Sequence, residues 1–68
     1  MTEINVDGAI ERLTDSCPPN AGIISSTYDR FHNRIIVAYN GDWPLEEQNS
    51  LWQEVMDECG VCLDFHKR

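Results

Sequence analysis

Apolar positions change their spacing along this chain, and each change marks an element. Ala9, Ile10, Leu13 and Cys17 recur three and four residues apart, the spacing of one helix face. Asp7 stands where it can cap a helix running from about Gly8 to Ser16. Pro18 and Pro19 end that helix, since proline lacks the N–H the ladder needs. The pattern then shortens. Ala21–Arg30 and Arg34–Asn40 read as strands, rich in β-branched and aromatic residues such as Ile23, Ile24, Thr27 and Tyr28. Ile35–Ile36–Val37 is a continuous apolar run, as in a strand buried on both faces or central in its sheet. Phe31–His32–Asn33 reads as the hairpin tip, with Asn33 able to take a left-handed conformation.

Beyond the Asn40–Gly41–Asp42 turn, the helical period returns. Pro44 suits the first helical position, and Glu46 and Glu47 suit the positive end of the helix dipole. An inner stripe follows through Leu45, Leu51 or Trp52, Val55, Met56 and Cys59, and Gly60 is a stop. Val61–His66 alternates, with Val61, Leu63 and Phe65 inward and Cys62, Asp64 and His66 outward. If Thr2–Val6 is also a strand, with Ile4 and Val6 inward, the order is βαββαβ, the pattern of the ferredoxin-like sandwich. Otherwise it is a three-stranded sheet with two helices. Either is a single small α+β domain, residues 1–68, with an antiparallel sheet and two helices on one face.

A chain of 68 residues buries only about 60% of the surface its unfolded form exposes. Its stability is therefore marginal without help from a disulfide, a metal or a partner subunit. No apolar run approaches the roughly 18 residues that cross a bilayer. The N-terminus lacks the basic and apolar segments of a signal peptide. The expected location is cytoplasmic, the host cytoplasm if a phage encodes the chain.

The charge changes the picture most. The formal net charge is −7. Between Gly41 and His66 stand Asp42, Glu46, Glu47, Glu54, Asp57, Glu58 and Asp64, with no Lys or Arg among them. A helix that pairs its own charges carries bases three or four residues from its acids. Here they are missing, so the sequence leaves the charge free to meet something outside the chain. Acidity argues against direct nucleic-acid binding, because phosphate contacts need Lys and Arg. It suits a basic protein surface, and it also serves solubility alone.

Other candidate chemistry is sparse. Cys59–Gly60–Val61–Cys62 is a CxxC, but Cys59 closes a helix beside Asp57 and Glu58. Dipole and carboxylates there both oppose a thiolate. Cys59, Cys62 and His66 form a C-x2-C-x3-H set that Cys17 or His32 would complete for zinc, although structural zinc usually takes two tight pairs. The plain alternative makes Cys17 and Cys59 small core residues. Arg30, Phe31 and Arg34 form a basic–aromatic hairpin suited to a protein interface or to a solvated turn. Trp43 is either an interface anchor or a cap on the core. No hydrolase constellation, acid–base pair or phosphate loop stands out, and no enzyme is expected.

The sequence therefore predicts a non-enzymatic binding protein without cofactors. Its partner-binding residues are Asp42, Trp43, Glu46, Glu47, Glu54, Asp57 and Glu58, with Arg30, Phe31 and Arg34. They would dock on a larger protein with a basic surface, such as one that handles nucleic acid, and inhibit it. In size, charge and lack of enzymatic motif the chain resembles the small acidic proteins that phages use against host defences, anti-CRISPR proteins and DNA mimics among them. The resemblance is one of kind, with no motif matched, so it assigns a role to no residue. Two alternatives come from other classes. One is a zinc domain on Cys59, Cys62 and His66. The other is a regulatory subunit that forms a homodimer through its sheet face or an edge strand.

Overall fold

The computed structural model of the chain describes residues 4–68. Two helices and three strands follow in the order α1 (Val6–Ser16), β1 (Ile23–Asp29), β2 (Arg34–Tyr39), α2 (Leu45–Cys59) and β3 (Cys62–Lys67). The sheet order is β1-β2-β3. The α+β class and the three-stranded alternative are what the chain adopts. Of the Thr2–Val6 segment, Thr2 and Glu3 lie outside the described residues, Ile4 and Asn5 are in no strand, and Val6 opens α1.

The sheet is mixed rather than wholly antiparallel. β1 and β2 form the expected antiparallel hairpin, Ile23 facing Tyr39 through Asp29 facing Arg34, with a bulge between Ile23 and Ser25. β2 and β3 run parallel, Arg34 facing Cys62 through Tyr39 facing Lys67. A helix joins these two strands and returns the chain to the starting end, so the second strand must run in the direction of the first. β2 is thus the central strand, as its apolar run implies.

One face of the sheet carries both helices. Ile35, Val37 and Tyr39 alternate toward them, with Leu63 and Phe65 beside them on β3. Ala9 and Leu13 of α1 and Leu51, Val55 and Cys59 of α2 close over this row. Trp43 is part of the core rather than an exposed anchor. It is 5% exposed, packed edge-on to Tyr39 at 5.6 Å and to Phe65 at 4.9 Å between ring centroids. A core this small needs such rings to fill the space where the sheet ends. The other sheet face presents Thr27, Ile36, Asp64 and His66.

Several local expectations shift by a residue or two. Asn5, not Asp7, caps α1, and its side-chain oxygen accepts from the Gly8 N–H at 3.0 Å. Asp7 instead sits in the first turn, where the dipole favours it. Pro44 is the N-cap of α2 rather than its first residue. The inner stripe of α2 is Gln48, Leu51, Val55 and Cys59. Leu45 lies outside it, 69% exposed, and of the pair Leu51 and Trp52 it is Leu51 that turns in. Gly60 closes α2 at φ 69°, the left-handed conformation that a Cβ disfavours. At the far end, Gly41 donates to the Ala21 carbonyl at 2.8 Å and Asp42 to that of Asn20 at 2.7 Å. A side chain on Gly41 would collide with that backbone.

Candidate functional site

The helical period of α2 sorts its exposed residues into three stripes. Glu47, Glu54 and Glu58 lie seven and four residues apart, on the flank beside α1. Glu46 and Asp57 ride the crest opposite the core. Leu45, Trp52 and Met56, again seven and four apart, form the far flank.

Part of the acidic charge is answered within the chain. Arg12, from α1, reaches Glu54 at 2.8 Å and Glu58 at 2.7 Å. The expectation that all these acids stand free is therefore corrected for this pair. The sequence hides the contact because Arg12 is 42 residues from Glu54, and only the packing of α1 on α2 brings them together. Half-exposed pairs of this sort contribute about 0–1 kcal/mol each, so their main effect is on the local field. Asp64 is also engaged, at 3.0 Å from Arg34. Asp42, Glu46, Glu47 and Asp57 meet no cation among the described residues, and all four are exposed. Glu46, Glu47 and Glu54, with Ser16, Ser50 and Leu51, line an open groove of about 470 Å³ between the end of α1 and the start of α2.

The basic–aromatic hairpin divides. Phe31 is 86% exposed at its tip, with the Arg30 guanidinium 5.7 Å from its ring centroid. Arg34 does not project from the tip with them. It lies on the open sheet face between Asp64 and Asp29, the latter 3.6 Å away. Asp29 accepts from His32 at 2.8 Å and from the Phe31 N–H at 3.1 Å. The His32 hydrogen bond, foremost, holds its carboxyl below the ordinary value of 3.8. A depressed carboxylate contributes stability above its unfolded value and loses it as the pH falls through the folded one. Asp29→Asn is therefore expected to flatten the loss of stability below about pH 3.8. Urea titrations of both chains at stepped acid pH check this. Equal acid slopes for the two chains would remove Asp29 from the account.

The zinc alternative finds no assembled site. Cys59 is buried at the end of α2, whereas Cys62 and His66 belong to the opposite, open sheet face. Among the described residues no group of three or more His, Cys, Asp or Glu side chains is placed to hold a metal ion. His66 instead lies 3.1 Å from Asp64, and the Cys17 thiol, half-buried, donates to the Thr14 carbonyl. Nor is any described helix long and apolar enough to cross a membrane.

Two residues that position the acidic helix carry little signal in the sequence. Gln48 is buried on the inner stripe and donates to the Tyr39 hydroxyl at 3.0 Å and the Trp43 carbonyl at 2.8 Å. A polar residue at a core position breaks the periodicity that would have revealed it. Asn33 joins the hairpin tip to the end of α2, its amide donating to the Gly60 carbonyl at 2.8 Å. The site defines a small acidic α+β domain with a one-sided anionic helix. No protein-family model, curated protein or solved structure matches the chain.

Proposed function

We propose that the chain is a non-enzymatic binding protein that sets the crest and α1-side flank of α2 against a basic surface of a larger protein. A surface built to hold nucleic acid fits best, because its Lys and Arg already stand ready for spaced negative charge. Occupying it would exclude the nucleic acid, the inhibitory mode of the phage anti-defence proteins that the chain resembles in kind.

The observation that carries this reading is the unequal neutralisation of the acids. Arg12 and Arg34 answer Glu54, Glu58 and Asp64, while Asp42, Glu46, Glu47 and Asp57 remain exposed without a cation partner among the described residues. The groove between α1 and α2 suits one Lys or Arg side chain. Glu46, Glu47 and Glu54 line it and would meet its charge.

The test replaces Glu46, Glu47 and Asp57 by Gln together, leaving the Arg12 pairs intact. Captured partner from the native cell should bind the variant roughly tenfold or more weakly, the sum of three modest charge contacts. Binding to the unmodified chain should fall steeply as salt rises, and a DNA or RNA duplex in excess should displace it. Undiminished capture by the triple variant would refute the proposal.

A further inference from the structure

The open edge of β3 lies beside the far flank of α2, and its backbone geometry is self-complementary. Within the sheet, Cys62 donates to the Asn33 carbonyl at 3.1 Å and Arg68 to the Tyr39 carbonyl at 2.8 Å. The even-numbered residues of this segment therefore turn their N–H groups toward β2. By the alternation of a strand, Leu63, Phe65 and Lys67 turn theirs to the outer edge. Among the described residues no strand pairs with that edge. The two edges of the sheet differ. β1 is bulged between Ile23 and Ser25, a device that blunts strand pairing, whereas β3 keeps an unbroken register from Cys62 to Lys67.

We infer that β3 pairs antiparallel with β3 of a second copy of this chain, with Phe65 on the two-fold axis. That register sets Phe65 opposite Phe65 and Leu63 opposite Lys67 in both directions. All of these are residues whose edge N–H and C=O groups lack a strand partner, so each finds one. The same register sets Asp64 opposite His66 of the other copy, twice, on the open sheet face. A hydrogen-bonding pair directly across strands supports pairing, and like charges oppose it. The result is one continuous six-stranded sheet.

Charge and apolar surface favour a second copy as the occupant. The chain as a whole carries −7, but Cys62–Arg68 holds one acid, Asp64, against Lys67 and Arg68. Two such molecules meet less repulsion here than across the acidic crest of α2. The acids of α2 lie on its crest and on the flank toward α1, away from the seam. The flank beside the seam carries Leu45, 69% exposed, and Trp52, 37% exposed, together with Met56. Strands stand about 4.8 Å apart. Pairing across β3 brings the two α2 helices toward each other on the same face of the sheet. The Leu45–Trp52–Met56 stripes would meet over the new sheet.

Sedimentation equilibrium of the full chain from micromolar to millimolar concentration tests this. The mass should rise from 7.8 kDa toward twice that value. Added salt should strengthen the dimer by screening the repulsion between two anionic molecules, the opposite of its effect on the basic-partner contact. His66→Asp sets a second carboxylate opposite Asp64 at both ends and should weaken dimerisation about tenfold, whereas His66→Lys should preserve it. Lys67→Pro removes an N–H that the chain's own ladder does not use and should also favour the monomer, with the circular dichroism unchanged. The E46Q/E47Q/D57Q variant should still dimerise, so failure of the acidic-face reading and failure of this one are separately visible. A single-copy mass at millimolar concentration overturns the inference. So does a dimer that neither His66→Asp nor Lys67→Pro weakens.

Discussion

Trp43→Ala is expected to lower the unfolding free energy by about 3–5 kcal/mol, the range for deleting a buried large aromatic. Trp43 is 5% exposed and bridges the end of β2 to β3 through its contacts with Tyr39 and Phe65. At about 0.05–0.15 kcal/mol per residue, a domain of this length has only about 3–10 kcal/mol to lose. A sizeable fraction of the variant should therefore be unfolded at room temperature. The indole N–H is buried without a hydrogen-bond partner among the described residues, so Trp43→Phe gives up no hydrogen bond. It should retain a larger share of the stability. Urea melts followed by circular dichroism measure both. A Trp43→Ala chain that melts with the unmodified one, yet fails to bind its partner, would return Trp43 to the role of an exposed anchor.

Asn33→Ala is expected to cost about 2–5 kcal/mol, because three things depend on this side chain at once. Asn33 holds a left-handed φ of 50°, which Asn tolerates and Ala resists by about 1–2 kcal/mol. Its side-chain oxygen accepts from the Tyr28 hydroxyl at 2.8 Å, and its amide donates to Gly60. Each such bond contributes about 0.5–1.5 kcal/mol. Asn33→Gly should recover the backbone part alone, and Asn33→Asp should keep the Tyr28 contact but lose the donor to Gly60. A graded order of stability, Asn above Asp and Gly, and these above Ala, checks the decomposition. If Ala and Gly prove equal, the left-handed turn is not what Asn33 supports. The consequence reaches α2, since Asn33 ties the hairpin tip to the Gly60 turn at its C-terminal end.

Much of this architecture is legible in the local pattern. Pro18–Pro19, Gly41 and Gly60 punctuate the chain through backbone properties they carry anywhere, so the elements between them fall where their spacing predicts. Ile35–Ile36–Val37 suits a strand buried on both faces or a central one, and it is the central position that β2 takes. Residues at the boundaries are less legible. Asn5 and Asp7 are both good caps, and Asn5 prevails because the helix opens at Val6. Leu45 reads as core by type but lies about a fifth of a turn off the stripe through Gln48, Leu51, Val55 and Cys59. The candidate site was legible in composition and only half legible in function. The anionic bias of α2 is plain in the string of letters, while Arg12 and Arg34, which cancel part of it, belong to distant segments.

The linear order of residues by itself determined which stretches beyond Val6 are helix or strand, and that one helix is acidic without bases of its own. These follow from near-neighbour physics: spacing, proline, glycine and charge count. Tertiary packing decided the parallel pairing of β2 with β3, the burial of Trp43 and Gln48, and the capture of Glu54 and Glu58 by Arg12. It also decided the opposed positions of Cys59 and the pair Cys62 and His66. Each of these depends on which segments meet in space, and that is set by the one arrangement in which both helices cover the Ile35–Val37–Tyr39 row together.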